Sequence, residues 1–192
     1  MKKYLLAAAF ILGTSASAWS ADLPATTPAP IPAPPAPVQY SFIDELRLGA
    51  FVHDAASKEL DHAPDLNAEV LFAKPWGTNE QWWLPRPVIG ATINFEGRTS
   101  TGFAGVAWQY YITQKIFVEG TFGGSVNNGK DNGNHDHNAL GSHFLFHEAG
   151  ALGYDITDHW RVLATIEHNS NAGITKNNRG LTNYGVQIGY RF

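Results

Sequence analysis

A histidine and a serine near the end of the chain have the types and the spacing that acyl-transfer chemistry needs. His168 and Ser170 close a stretch, residues 162–170, in which apolar and polar side chains alternate. Alternation predicts a β-strand, in which residues two apart share a face and lie about 7 Å from each other. An imidazole can bridge that distance and act as general base for a serine nucleophile. The alternative is that both are ordinary polar residues at the end of a strand. Their spacing alone does not distinguish this interpretation from the catalytic one.

The residues that follow Ser170 could stabilise negative charge. Asn171-Ala172-Gly173 offers an amide side chain and backbone N–H groups. Donors of this kind hold the oxyanion that forms when a serine attacks a carbonyl carbon. Asn171 and Gly173 are therefore the candidate oxyanion residues.

Metal-dependent chemistry is a weaker interpretation. The chain has no cysteine and no H-E-x-x-H motif, which excludes thiolate ligands and the common zinc-protease site. His143 and His147 are four residues apart, which on a strand is about 13 Å and too far for one ion. Other candidate ligands cluster in the loop 127–139, namely Asp131, His135, Asp136 and His137. Because that loop is rich in Gly and Asn, its composition is typical of a solvated loop. We predict neither a metal nor another cofactor.

The start of the chain predicts export. Two lysines, an apolar run over residues 5–12 and the small-residue site Ala16-Ser17-Ala18 are typical of a signal peptide over residues 1–18. Residues 19–40 are rich in Pro and Ala and predict a disordered, extended linker. The net charge of −4 gives no reason to expect a nucleic-acid partner. An exported chain without a long apolar helix is either soluble outside the cytoplasm or a membrane-spanning barrel.

Residues 41–192 predict one all-β domain. Period-two alternation marks eight strands, at about 42–54, 66–74, 87–95, 101–111, 115–126, 140–154, 159–170 and 181–192. Their lengths suit the ~9–11 residues that a tilted strand needs to cross a bilayer, and long polar loops mostly alternate with short turns. The polar face has few lysines, and the chain ends on Phe192 in an apolar alternation, both unlike a soluble barrel. We therefore predict an eight-stranded antiparallel transmembrane β-barrel of the bacterial outer membrane.

The alternation also predicts which side chains fill the barrel. The predicted interior set is Glu45, Arg47, Asn67, Glu69, Glu119, Arg161, Glu167, Gln187 and Arg191. Eight strands leave room only for side chains, so this set predicts an ionic network and not a pore. The sixth strand is ambiguous, because Phe144 and Phe146 share a face with Glu148. A carboxylate in lipid is costly, so we expect that face to point inward.

The end of the chain resembles a known family. His168-x-Ser170-Asn171-Ala172-Gly173, then Asn178-x-Gly180 and an aromatic-ended last strand, is similar to the PagL-type lipid A 3-O-deacylases. The resemblance spans roughly residues 42–192. It implies an eight-stranded outer-membrane barrel whose active site faces the lipid and needs no cofactor. The implied reaction is hydrolysis of the ester-linked hydroxyacyl chain at the 3-position of lipid A, within lipopolysaccharide.

The resemblance also implies residue roles. His168 would be the base and Ser170 the nucleophile, with Asn171 and Gly173 around the oxyanion. The family's third member, a glutamate twelve residues after the serine, is replaced by Thr182. In a hairpin Thr182 is expected across from Ser170 and diagonal to His168, where its hydroxyl could accept the Nδ1–H bond without adding charge.

Other acids and other functions stay open at this point. Asp54, expected on the outward face beside the last strand, is an alternative replacement acid, whereas Glu167 is expected inside the barrel. The rival function is a non-enzymatic barrel, structural or partner-binding, that has lost the catalytic acid. A soluble lipid-binding barrel is a second rival, and a homodimer is neither required nor excluded by the sequence.

Overall fold

The alternating segments form a closed barrel. The computed structural model describes residues 41–55, 63–75, 81–129 and 139–192, which belong to the unit Gln39–Phe192. The strands are β1 Ile43–Val52, β2 Pro64–Phe72, β3 Arg86–Asn94, β4 Thr101–Tyr111, β5 Ile116–Asn127, β6 Phe144–Asp155, β7 Trp160–Ser170 and β8 Leu181–Arg191. Each strand pairs antiparallel with the next, and β8 pairs with β1. The predicted eight-stranded antiparallel barrel is confirmed.

The sixth strand begins at Phe144, later than expected, because Gly141 turns the chain at a φ of 70° just before it. The predicted signal peptide (1–18) and linker (19–40) lie outside the described residues. No helix in the described part of the chain is long and apolar enough to cross a membrane.

The barrel interior is held by ion pairs, as predicted. Arg47 Nη1 and Nη2 donate to the two carboxylate oxygens of Glu119 at 2.6 and 2.9 Å, and its Nε donates to Glu45 Oε1 at 2.6 Å. Glu45 Oε2 accepts from Arg86 at 2.7 Å and from Arg161 at 3.0 Å. All five side chains are buried. Each of these five charges therefore has a partner of opposite sign, which offsets the cost of removing it from water.

The outer surface is apolar, which is the reverse of a soluble barrel. Exposed large apolar side chains alternate with buried side chains, many of them polar, along the strands. They include Leu48, Ile89, Phe122, Phe146, Ile166, Val186 and Ile188. An apolar exterior around a polar interior is the pattern of transmembrane barrels. The soluble lipid-binding alternative would need the opposite facing.

The predicted facing of the sixth strand is wrong. Phe144, Phe146 and Glu148 lie on the outer surface, whereas Leu145 and His147 are buried inside the barrel. The prediction was based on the free-energy cost of placing the Glu148 carboxylate in lipid. The structure follows the pairing with β5 and β7, which sets the parity of the whole strand.

Contacts that His147 makes inside the barrel explain the observed facing of β6. The His147 ring stacks on Phe103 with 3.9 Å between centroids, and its Nδ1 lies 3.0 Å from Asn169 Oδ1. The opposite parity would turn His147 toward the lipid, away from Phe103 and Asn169, and push two phenylalanines into the interior. One exposed carboxylate costs less than that exchange.

Candidate active site

β7 and β8 bring the predicted catalytic residues together on the outer face. His168 is paired directly with Thr182, and the imidazole Nδ1 lies 2.8 Å from Thr182 Oγ1. Thr182 is thus opposite His168, not diagonal to it as expected. Ser170 follows on the same face of β7, and all three side chains are half-buried. The contact that we expected from the threonine hydroxyl is present.

The Thr182 contact determines what the imidazole can do. With the hydrogen on Nδ1, Thr182 accepts it, and Nε2 keeps a lone pair that can take a proton. This is the tautomer that a general base needs. Among the described residues, Ser170 Oγ has no hydrogen bond. A long base–nucleophile separation is common where no substrate is bound.

Gly180 makes room for the other edge of the His168 ring. Its φ is +73°, and a Cβ there would lie 2.7 Å from His168 Cε1 and 3.2 Å from Nε2. Gly180 is one step beyond the last β7–β8 pair, Asn169 with Leu181, and so lies across from Ser170. The Nε2 edge therefore faces the end of the hairpin where Ser170 is found.

The predicted oxyanion donors are occupied by the loop between β7 and β8. Asn171 is buried, and its Nδ2, which carries two hydrogens, lies 2.6–2.7 Å from three acceptors, Leu140 O, Thr175 Oγ1 and Asn177 O. The N–H of Gly173 donates to Asn171 Oδ1 at 2.9 Å. Both groups stabilise the loop in the substrate-free protein. An oxyanion role for either one requires substrate to take over one of these bonds.

One donor in this loop was missed by sequence reasoning. Ala172 has a φ of +52°, which is uncommon for a residue with a side chain, and Gly173 follows at +78°. The N–H of Ala172 has no partner among the described residues. Strained backbone of this kind is often found at functional sites. In the sequence, Ala172 was indicated only by its position in the motif between Asn171 and Gly173.

The candidate acids are distributed differently from expectation. Asp54 lies beside β8, but it is 3% exposed and its N–H donates to the inward Asn183, so it is not on the outer face. Glu167 is inside the barrel as expected, where it accepts from Asn183 at 2.9 Å. Glu148, which we had placed inside, is paired directly with His168 across the β6–β7 ladder. None of the carboxylates in the described residues is hydrogen-bonded to His168.

Metal ligands do not converge in the part of the chain that the structure describes. Its His, Asp and Glu side chains form no group of three or more that could hold an ion. The loop cluster of Asp131, His135, Asp136 and His137 lies outside the described residues.

Comparison with known families assigns the chain. A model of the lipid A 3-O-deacylase (PagL) family matches residues 64–191, which is 128 of the 192 residues. The chain belongs to the PagL lipid A 3-O-deacylase family. The matched segment contains β2 to β8, and so includes His168, Ser170, Thr182 and the loop between β7 and β8. No curated protein sequence matched.

Solved structures share the fold of this PagL-family chain. The crystal structure of the outer membrane enzyme PagL is 17% identical, has a TM-score of 0.56, and covers 78% of this chain and 99% of its own. Neisserial surface protein A is 14% identical with a TM-score of 0.53, covering 79% and 98%. A de novo designed transmembrane β-barrel is 12% identical with a TM-score of 0.51, covering 80% and 98%. Because a designed barrel has this fold, the fold alone does not indicate hydrolysis.

Proposed function

We propose that this protein is an outer-membrane serine esterase that removes the ester-linked 3-hydroxyacyl chain from lipid A. The supporting observation is the position of His168 and Ser170 on the membrane face of β7 in a PagL-family barrel, with Nδ1 of His168 bonded to Thr182. The site opens sideways to the lipid. Lipid A in the outer leaflet, as part of lipopolysaccharide, would reach it by lateral diffusion without leaving the membrane.

The proposed reaction proceeds in two halves. Ser170 Oγ attacks the ester carbonyl carbon while its proton moves to His168 Nε2. His168 then gives that proton to the glucosamine 3-oxygen, which leaves as the free hydroxyl and completes the acyl-enzyme. In the second half a water molecule loses a proton to His168 and attacks the acyl carbon, and His168 returns that proton to Ser170 Oγ as the bond between Oγ and the acyl carbon breaks. The products are the 3-hydroxy fatty acid and 3-O-deacylated lipid A.

The remaining residues have supporting roles in this proposal. Thr182 accepts the Nδ1–H bond and keeps the imidazole in the base tautomer. Asn171 and Gly173 donate to the oxyanion after exchanging one of their loop bonds, and the unpartnered N–H of Ala172 is a further donor in the same turn. No metal takes part.

An apolar groove on the membrane face suits an acyl chain. It has a volume of about 780 Å³ and crosses β7, β8 and β1, where Ala164, Val186 and Ala50 line it. Ala164 is four residues below His168 on the same face of β7, a distance of about 13 Å. A chain lying along the barrel wall from the site would enter this groove.

Mass spectrometry of lipid A tests the proposal. The full-length protein and its Ser170→Ala and His168→Ala variants are expressed in a bacterium whose lipid A carries an ester-linked 3-hydroxyacyl chain. Lipid A from cells with the wild type should lose the mass of that chain, and both variants should leave it intact. Heat-dependent gel migration of each variant checks that the barrel has folded. Identical lipid A from wild-type and Ser170→Ala cells would overturn the proposal.

The second candidate function is a non-enzymatic barrel. Thr182 favours it, because the hydroxyl orients His168 without providing a charge. The same measurement separates the two candidates, since a barrel that only binds or stiffens the membrane leaves the acylation of lipid A unchanged.

A further inference from the structure

Glu148 is the unusual residue on the membrane face. It lies on the exposed side of β6, with Phe146 beside it on the same strand and Phe122 opposite it on β5. The other charged side chains of the eight strands are hydrogen-bonded to neighbouring side chains, mostly inside the barrel. Glu148 has no such bond among the described residues. An ionisable residue placed in lipid without a partner is costly, and it is a functional candidate by default.

The register places this carboxylate beside the catalytic base. Glu148 pairs with His168 in the β6–β7 ladder, while Thr182 pairs with His168 from β8 on the other side. Directly opposite residues have Cβ atoms about 4.5–5.5 Å apart. The glutamate side chain is long enough to bring its carboxylate alongside the imidazole ring. His168 therefore has a neutral acceptor on one side and an acidic residue on the other.

The proposed reaction requires a negative charge near His168, which Thr182 cannot provide. When His168 takes the proton of Ser170, a positive charge forms on a surface that faces lipid and is poorly solvated. A threonine hydroxyl fixes the ring but contributes no charge. A carboxylate within about 4–6 Å favours the protonated ring.

We propose that Glu148 supplies the negative charge that stabilises protonated His168, in place of the acid that is absent at position 182. The inference rests on the proposed function and deepens it. The work of one triad acid is divided between two strands, with Thr182 holding Nδ1 and Glu148 providing the charge. Glu148 acts through His168 and is a positioning residue, not one that bonds to the reacting atoms.

The test is a double-mutant cycle on the full-length protein in detergent micelles with lipid A. Glu148→Gln should lower kcat by about 10- to 100-fold and change KM by less than about threefold, because it removes a charge that matters only once His168 is protonated. Glu148→Asp should keep more activity than Glu148→Gln. In a Thr182→Glu background, Glu148→Gln should cost less than about threefold, since the new carboxylate supplies the missing charge. Glu96→Gln, which removes an exposed carboxylate from a turn, is the control and should behave as wild type.

Two outcomes would overturn the inference. One is an unchanged kcat in Glu148→Gln. The other is an equal loss in both backgrounds, which would mean that Glu148 acts on something other than His168, such as the substrate itself.

A second readout separates this inference from the proposed substrate. A fluorophosphonate probe reports the reactivity of Ser170 whatever its natural ester, and mass spectrometry measures the rate of labelling. If Ser170 is labelled but lipid A is unchanged, the lipid A proposal fails, and slower labelling of Glu148→Gln still supports the role of Glu148. Equal labelling of wild type and Glu148→Gln would refute that role. Heat-dependent gel migration confirms that each variant is folded.

Discussion

The imidazole of His168 is held from two sides at the residue scale. Thr182 Oγ1 lies 2.8 Å from Nδ1, and Gly180 leaves the space that the Cε1–Nε2 edge occupies. Together they direct Nε2 toward the end of β7 where Ser170 lies. The imidazole ring is thus oriented by the Thr182 hydroxyl and by the space beside Gly180, and neither residue provides a charge.

Replacing Thr182 should separate orientation from charge. Thr182→Val keeps the shape but removes the acceptor for Nδ1–H, so the base tautomer is no longer favoured and kcat should fall by about 10- to 100-fold. Thr182→Glu keeps an acceptor and adds charge, so kcat should rise above that of the wild type. Initial rates of 3-hydroxy fatty acid release in detergent micelles measure both. A Thr182→Val variant as fast as wild type would show that the hydroxyl does not orient the base.

Gly180→Ala should displace His168, the proposed base. The new Cβ would lie 2.7 Å from His168 Cε1, and alanine is disfavoured at a φ of +73°, so we expect about 1–2 kcal/mol of lost stability and at least about tenfold lower kcat. Gly97→Ala is the matched control, because Gly97 has a φ of +81° but nothing within 4 Å of its Cβ position. The control should lose similar stability and keep its kcat. Equal loss of kcat in both variants would remove the assigned role of Gly180.

At the element scale, the side-chain amide of Asn171 and the backbone N–H of Arg179 connect the β7–β8 loop to the segment before β6. Asn171 Nδ2 donates to Leu140 O, before β6, and to Asn177 O within its own loop. Its Oδ1 accepts from Gly173. The conformation of the turn after Ser170 therefore depends on a side chain that the motif suggested for catalysis.

Asn171→Ala should loosen this loop. Leu140 O would lose its donor, whereas Asn177 O would keep the bond from Thr175 Oγ1. A buried group left unpaired costs about 1–3 kcal/mol. Trypsin should then cleave faster after Lys176 and Arg179, which mass spectrometry of timed digests detects. Ile174→Ala is the control, because Ile174 is 76% exposed and its side chain is not needed to hold the loop. Unchanged cleavage in Asn171→Ala would mean that other contacts hold the loop.

For the whole molecule, stability depends on a polar interior remote from the membrane face. Arg47, Arg86 and Arg161 neutralise Glu45 and Glu119 in the barrel. The network joins strands on different sides of the barrel, from β1 and β3 to β5 and β7. It stabilises the scaffold, and it makes no contact with His168 or Ser170.

Arg47→Met should therefore lower stability without changing the chemistry. Glu119 would lose both bonds from Arg47 and keep only Arg86, and breaking a buried pair from one side costs about 3–5 kcal/mol. Urea unfolding of the refolded barrel in detergent gives the free-energy change, and kcat per folded molecule should stay at the wild-type value. Lys176→Ala, at an exposed loop position, should shift stability by less than about 0.5 kcal/mol. Equal unfolding midpoints for both variants would contradict the assigned role of the network.

The sequence by itself determined the barrel and most of the interior charges, although not Arg86, and it predicted the His168–Ser170 pair. Alternation is a local property, so a strand with one clearly apolar face could be assigned its lipid-facing and interior sides from its own sequence. The motif is also local, since His168, Ser170 and the turn after them are consecutive along one strand end.

Only the tertiary structure decided the facing of β6 and the environment of the base. Both faces of β6 carry aromatic or apolar and titratable residues, so its own pattern was ambiguous, and pairing with β5 and β7 resolved it. The same pairing places Glu148 against His168, although the two are twenty residues apart along the chain. Hydrogen bonds to Leu140 and Asn177 likewise occupy Asn171. Such contacts depend on strand register and loop closure, which no short stretch of sequence specifies.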